Sequence, residues 1–387
     1  MRVLRILTRG NVGGPMRQAL GLWGADADAG LQTLLAVGAC PADETEMPRD
    51  GIPDLEPSKL TPDSRGFVSL SRLGRAARPW RDALATRELR RIIQLFRPDV
   101  VHTHTSQAGF FGRRAAIAEG VPVIAHTFHG HVLTDYYAKP ISALFRRLEA
   151  RLARRTDALF AVSESCRLEL EALRVGEGRI EVLPPAVDLA AFAQSDRVTA
   201  RAALGLSDGD FAIGMVGRLV PIKRPELFVQ LVAMTPGVQG FVFGDGPLRE
   251  RMACRSGARL HLRGATPDME RYLAGLDALV LCSKREGCPL VAIEAFAAGV
   301  PVIGLDVPGV RDVLGEWGAG LSVSENAGVE GLARAVTDLQ QDPPMAVEIV
   351  ERGRLGLARF DSRAVASRLR ERYAAAREGR GEVLVAR

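Results

Sequence analysis

The chain has 387 residues, 47% hydrophobic and 25% charged, and its 51 basic against 46 acidic side chains give a net charge of +5. That balance excludes dominant disorder, and at ~150 residues per domain the length points to two domains, each with its own core. Cys40, Cys166, Cys254, Cys282 and Cys288 are scattered and form no Cys-x-x-Cys pair, which excludes a disulfide framework and a zinc ribbon.

The chain opens on Met1-Arg-Val-Leu-Arg-Ile-Leu, where Arg5 interrupts what a secretory leader keeps apolar. The expectation is a first strand and a cytoplasmic protein. Gly10-Asn-Val-Gly13-Gly14-Pro15 follows, ahead of a periodic apolar run with Leu20 and Trp23. Amides at such a turn can approach an anion at a helix N-terminus, although a plain tight turn fits the same residues. Because the spacing is neither G-x-G-x-x-G nor G-x-x-x-x-G-K-[ST], nicotinamide and P-loop chemistry lose support.

Short Val/Ile/Leu-rich runs alternate with Gly-rich turns and amphipathic helices, the grammar of parallel sheets with crossover helices. The first half is predicted to hold strands near Val3–Leu7, Leu31–Val37, Val100–His102, Val123–His126, Ala158–Val162 and Ile180–Leu183. Between Ser69 and Pro98, Arg72, Arg75, Arg78, Arg81, Arg87, Arg90, Arg91 and Arg97 outnumber Asp82 and Glu88, with Trp80, Leu84, Leu89, Ile92, Ile93 and Leu95 interleaved. Such a segment suits peripheral contact with an anionic membrane, or packing on the first sheet behind a solvated arginine rim.

Five of the six histidines lie between His102 and His131: His102, His104, His126, His129 and His131. A His-x-His at a strand end could share a metal in a zinc hydrolase, while any one of these histidines could simply pack. His129 stands out, since it precedes Gly130 at a strand-to-helix turn, where open sheets place active-site residues.

Pro184-Pro185-Ala186-Val187-Asp188 and the polar stretch through Gly209 read as a hinge. Second-half strands are predicted near Ala212–Val216, Gly240–Phe243, Leu260–Leu262, Ala278–Leu281, Val302–Leu305 and Leu321–Val323. Arg218 and Lys223 follow the first of these, a planar fork and a point charge suited to a departing diphosphate. In Glu286-Gly287-Cys288-Pro289-Leu290-Val291-Ala292-Ile293-Glu294, Pro289 fits a first helical position, freeing the amides of Leu290 and Val291 for a phosphate. Glu286 then lies in the preceding loop and Glu294 about one and a half turns in, at the ~3.6-residue period, within reach of a ribose. The charge-free stretch Ala295–Leu305 is far short of the ~20 residues of a membrane span. Residues 361–377 read as a helix, with Val365, Leu369 and Tyr373 on one face.

Val12-Gly13-Gly14, Arg97-Pro-Asp-Val-Val-His102-Thr-His104-Thr, His126-Thr-Phe-His129-Gly130-His131, Ala161-Val-Ser163-Glu, Gly217-Arg218-Leu-Val-Pro-Ile-Lys223, Phe243-Gly-Asp245-Gly246-Pro, the Glu286–Glu294 segment and Ala298-Gly299-Val-Pro301-Val occur in this order. Together they resemble the retaining GT-B glycosyltransferases of family 4, over nearly the whole length. The resemblance implies two doubly wound Rossmann-like domains facing across a cleft: an acceptor-side domain over 1–187, with the helix at 361–378 packed back on it, and a nucleotide-sugar domain over 188–360. It implies that Arg218 and Lys223 bind the donor diphosphate, that Gly287, Cys288, Pro289, Leu290 and Val291 line the donor site, and that Glu294 holds the ribose and Glu286 the transferred sugar. It further implies His129 at the reacting centre, Gly13 and Gly14 closing on the phosphates, and no resident metal or cofactor. Ala186, Ile222 and Asp312 depart from the family pattern, which often has Asn-Gly before Val-Asp, an acidic residue before the lysine, and Glu at the third position.

The expected function is transfer of a sugar from a UDP-linked donor to a glycan or lipid-linked acceptor in cell-surface polysaccharide synthesis. The neighbourhood of Tyr136 and Tyr137 carries this resemblance too. Nucleic acid is not among the expected partners. The rivals are a transferase with a soluble natural-product acceptor, a metal-dependent hydrolase using His102 and His104, and a GT-B-like nucleotide binder without catalysis.

Overall fold

In a computed structural model the chain forms two compact units, residues 1–42, 46–186 and 362–387 in the first, and 43–45 with 187–361 in the second. The structure describes residues 1–385 apart from 75–78, 131–132, 134–137, 256 and 316–318, and the side chains of 79–82 and 380–385 are likewise not described. His131, Tyr136, Tyr137, Arg75 and Arg78 therefore lie outside the described residues.

The first unit is built on a seven-stranded parallel sheet of order β3-β2-β1-β4-β5-β6-β7. Its strands are β1 (Arg2–Leu7), β2 (Gln32–Gly38), β3 (Gly66–Leu70), β4 (Val100–His104), β5 (Val123–Phe128), β6 (Ala158–Ala161) and β7 (Ile180–Val182). β4 and β5 are buried at every position, as parallel strands covered on both faces must be. The edge strand β3 was not expected: Gly66-Phe-Val-Ser-Leu is short, contains Gly and Ser, and follows a Pro/Asp/Ser cluster that reads as loop.

Helix α1 (Gly14–Asp28) follows β1, and α2 (Pro79–Phe96) precedes β4. Ala85, Leu89, Ile92, Ile93 and Phe96 of α2 are buried in a core with Leu4, Ile6, Leu34 and Val101. These apolar residues thus face the sheet, while Arg87, Arg90, Arg91 and Arg97 are exposed. Helix α3 (Ser106–Ala118) follows β4, and α4 (Lys139–Ala153) precedes β6.

The C-terminal helix Ser362–Val385 belongs to the first unit, with Val365, Leu369 and Tyr373 packed against Val3, Leu22, Val100 and Phe160. Here the sheet contains a buried charge. Arg5 of β1 donates to Asp26 of α1 at 2.6 Å and to the Tyr373 hydroxyl at 3.3 Å. Both Arg5 and Asp26 are at most 1% exposed, and Arg370 adds a second contact to Asp26 at 3.3 Å.

The second unit carries a six-stranded parallel sheet of order β10-β9-β8-β11-β12-β13. The strands are β8 (Phe211–Val216), β9 (Val238–Phe243), β10 (Leu260–Gly264), β11 (Ala278–Leu281), β12 (Val302–Leu305) and β13 (Leu321–Val323). The stretch expected to be a polar hinge instead holds helices Leu189–Ala193 and Arg197–Leu204. Its turn-forming residues are caps: Asp188 accepts the Ala191 amide, Asp196 the Thr199 amide, and Gly205 ends the second helix at φ +76°. No helix among the described residues is long and apolar enough to cross a membrane.

Candidate functional site

In the second unit, the loops after β8, β9 and β11 converge at the C-terminal ends of the strands, where open parallel sheets bind ligands. The turn after β8 is drawn against the turn after β9, since the Gly217 amide donates to Phe243 O and the Leu219 amide to Asp245 O. Gly244 makes the approach possible: at φ +157°, a Cβ there would lie 1.9 Å from Gly217 O.

On this platform Lys223 Nζ donates to Glu286 Oε1 at 2.5 Å, and the Ser283 hydroxyl donates to the same oxygen at 2.5 Å. Lys223 is 25% and Glu286 11% exposed, so both remain within a ligand's reach. Arg218 pairs with Glu44 of the short 43–45 segment at 3.1 Å. An arriving anion would displace one carboxylate from each cation.

Sequence reasoning missed Arg224 and Ser283. Arg224, at φ +47°, donates to Cys282 O and Ser283 O at 2.8 Å each and to Glu325 at 2.9 Å, fastening the loop after β11 to the Lys223 turn. The Lys-Arg-Pro sequence was the available signal, because Arg224 immediately precedes the proline that starts helix Pro225–Met234. Ile222 contributes its carbonyl to the Lys284 amide, so its side chain is free to vary. Asp312 accepts the Gly309 amide at 2.9 Å and holds the loop beside Glu286, whose own amide donates to Pro308 O.

Helix Leu290–Ala297 begins one residue later than expected, with Pro289 as its N-cap at φ −72° and ψ 99°. The amides of Leu290 and Val291 have no partner among the described residues, whereas that of Ala292 turns back to Pro289 O. Glu294, 3% exposed, lies on this helix among Ile293, Ala295 and Phe296. Cys282 is no nucleophile, because burial pushes its thiol up to about 12.

The first unit gathers its own cluster at the ends of β4 and β5. His104 Nδ1 and His129 Nε2 are 3.0 Å apart, and His102 stacks on His104 with ring centroids 4.3 Å apart. His102 has both ring nitrogens engaged, by the Tyr373 hydroxyl at 2.5 Å and by Thr127 at 2.8 Å. His126 bonds Thr103 at 2.8 Å. The His102–His104 pair therefore does not offer two free nitrogens, and among the described residues no group of three His, Cys, Asp or Glu could hold a metal ion. Gly13 is the N-cap of α1 at φ 176°, extended backbone open to any residue, and Gly14 is its first residue. A Cβ at Gly13 would meet nothing closer than Asn11 at 3.6 Å, so the fold itself does not demand glycine there.

Burial holds His102, His104 and His126 well below the usual imidazole range and pushes His129 down to about 4. His104 Nε2 is buried without a partner. An orphaned N–H is harder to tolerate than an orphaned lone pair, which favours the tautomer in which His104 Nδ1–H donates to His129 Nε2. His129 then keeps its own Nδ1–H as a donor.

The depressed imidazoles also set a pH dependence. Below pH ~6.5 the unfolded chain takes up protons that the folded chain refuses, so stability is complete above that pH and declines toward ~4. The unfolding midpoint should fall between pH 7.5 and 5, and His126→Gln should flatten the slope. A pH-independent midpoint across that window would refute the neutral cluster.

Residues 34–191 match the family described as Glycosyltransferase Family 4 and residues 196–356 that described as Glycosyl transferases group 1. An Escherichia coli relative, UDP-Gal:alpha-D-GlcNAc-diphosphoundecaprenol alpha-1,3-galactosyltransferase, is 32% identical over 54% of this chain and 58% of its own length. The D-inositol 3-phosphate glycosyltransferase of Rhodococcus erythropolis is 30% identical over 71% of this chain and 67% of its own. The chain thus spans about half to two thirds of the curated relatives it matches. In fold it is similar to Anabaena HepE, solved in complex with UDP and glucose, with a TM-score of 0.78 at 16% identity over 97% of this chain and 100% of that one. With two parallel-sheet Rossmann-like domains and family matches in both halves, the chain belongs to the GT-B glycosyltransferases of the family 4 type.

Proposed function

We propose that this protein is a retaining glycosyltransferase that moves a sugar from a UDP-linked donor to a lipid-linked acceptor in the synthesis of a cell-surface glycan. The observation that carries the reading is the convergence of Lys223 and Ser283 on one Glu286 oxygen, in the loop that leads to the free amides of helix Leu290–Ala297. Cation and helix N-terminus together are a site for a diphosphate whose charge grows as it leaves, and they provide that stabilisation without a metal ion. The E. coli relative, named for a UDP-galactose donor and a diphosphoundecaprenol-linked acceptor, supports this choice of donor and acceptor.

In this reading Arg218 and Lys223 hold the diphosphate, and Glu294 binds the ribose. Glu286 orients the transferred sugar, and Gly287, Cys288 and Pro289 shape the pocket wall. His129 donates its Nδ1–H to the sugar, and the acceptor hydroxyl attacks from the face the diphosphate leaves. UDP-sugars should raise the unfolding midpoint in proportion to RT ln(1 + [L]/Kd), and transfer should survive a chelator. His129→Ala should impair transfer far more than stability, leaving donor protection nearly unchanged and costing the fold only the ~1–3 kcal/mol of the donor it orphans on His104. No protection by any nucleotide sugar would refute the reading, and parallel loss of stability and transfer would reduce His129 to packing.

A further inference from the structure

We propose that His104 is a positioning residue, which from inside the first sheet fixes the ring and the tautomer of His129 so that the nitrogen left for a ligand is always Nδ1–H. The inference deepens the reading above, in which His129 donates to the transferred sugar, and rests on it for its purpose.

Strand register brings the two histidines together. β4 and β5 pair His104 with Thr127, and alternate residues share a face, so His102 reaches Thr127 and His104 reaches His129 along the same diagonal, 25 residues apart in each case. The first of these bonds has a fixed direction. Arg5 carries only donors, and its Nη1 lies 3.2 Å from His102 Nδ1, which is therefore a lone pair; the Tyr373 hydroxyl donates to it as well, and His102 Nε2–H donates to Thr127.

His102, tied down at both nitrogens, in turn holds His104. Their rings stack with planes 28° apart, and His104 is 0% exposed, out of reach of any substrate. Its Nε2 is buried without a partner, and its Nδ1 meets His129 Nε2 at 3.0 Å and nothing else among the described residues. A ring with one bond to make, and a second nitrogen that has no acceptor for a proton, has one low-energy tautomer. His104 Nδ1–H donates, and His129 Nε2 accepts. His129 is half-buried and neutral, since burial pushes it down to about 4, and so carries its single proton on Nδ1. Free histidine prefers the opposite tautomer, Nε2–H. One hydrogen bond from a buried neighbour thus reverses the default.

His104→Leu removes the donor at similar bulk, whereas His104→Asn restores an N–H near the place of Nδ1. In long-range nitrogen–proton spectra of histidine-labelled protein without sugar, the ring that His129→Ala deletes should be Nδ1–H in wild type and His104→Asn. In His104→Leu it should turn predominantly to Nε2–H. His104→Leu should also lower kcat ~10- to 100-fold with the donor KM nearly unchanged, and His104→Asn should recover all but about threefold of that loss. An Nε2–H His129 in wild type, or a tautomer unmoved by His104→Leu, overturns the proposal. A fall in kcat that His104→Asn shares in full also overturns it, by reducing His104 to packing. Should His104→Leu fail to fold, His104→Gln, whose amide falls nearer Nε2 than Nδ1, supplies the mismatched donor for the same comparison. UDP-sugar protection on the same samples separates the two readings. Protection with His129 in the other tautomer rejects only the positioning role; a tautomer that depends on His104 without protection rejects only the transferase.

Discussion

Lys223→Ala and Arg218→Ala should each lower the rate of sugar transfer by ~10² or more, the magnitude expected when one charge-assisted stabiliser of a developing anion is removed. Both cations stand on the turn after β8, which backbone hydrogen bonds from Gly217 and Leu219 fix to the turn after β9. The turn needs neither side chain to hold its shape. Removing either cation takes it from a nearly buried carboxylate, Glu44 at 7% or Glu286 at 11% exposed, so the unfolding midpoint should fall somewhat and the rates are compared well below it. The rate measurement therefore reports on the leaving group.

Glu294→Gln should act differently, raising the KM for donor more than it lowers kcat, because a buried carboxylate on helix Leu290–Ala297 would meet the ribose equally in ground and transition states. Lys223→Arg is the informative control. It keeps the charge but exchanges a compact ammonium for a planar fork beside Glu286 and Ser283, so partial recovery would show that position matters as well as sign. Wild-type turnover in both alanine variants would remove the diphosphate assignment.

What the sequence made legible follows from how locally each feature is encoded. Buried parallel strands announce themselves as short aliphatic runs, so β11 and β12, apolar and buried throughout, were readable from Ala278–Leu281 and Val302–Leu305 alone. β3 was not, because an edge strand of five residues with Gly and Ser carries too little hydrophobic signal against the loop before it. Asp188 and Asp196 looked like linker residues because the same side chains that favour turns also cap helices.

Pairings far apart in sequence were invisible to local patterns. Nothing near Arg224 announces Cys282 and Ser283, and nothing near His104 announces His129. The basic residues show the same limit. Arginine density drew attention to α2, yet only burial reveals that its aliphatic residues face the sheet while Ile141 and Leu144 of the less conspicuous α4 face solvent. Composition locates charge, but packing decides which apolar surface remains beside it.

Asp26→Asn should destabilise the first unit by ~3–5 kcal/mol, the cost of leaving a buried guanidinium without its carboxylate. Arg5, on β1, is fully buried beneath the C-terminal helix, between Asp26 at 2.6 Å and the Tyr373 hydroxyl at 3.3 Å. Tyr373 cannot replace the lost charge, since burial pushes its hydroxyl up to about 12 and keeps it neutral. Arg370, also paired with Asp26, is partly exposed and can turn to water. The strain therefore falls on Arg5. For a unit of about 200 residues the expected loss in midpoint is roughly 10 °C. Arg5→Met combined with Asp26→Leu removes both charges and should recover most of that loss, because a buried ion pair is worth little against apolar side chains of similar volume. The double variant thus separates two accounts of the pair. Recovery would show that the single substitution suffers from an abandoned charge, whereas a double variant as unstable as Asp26→Asn would mean that the Arg5 hydrogen bond to Tyr373 holds the C-terminal helix in place.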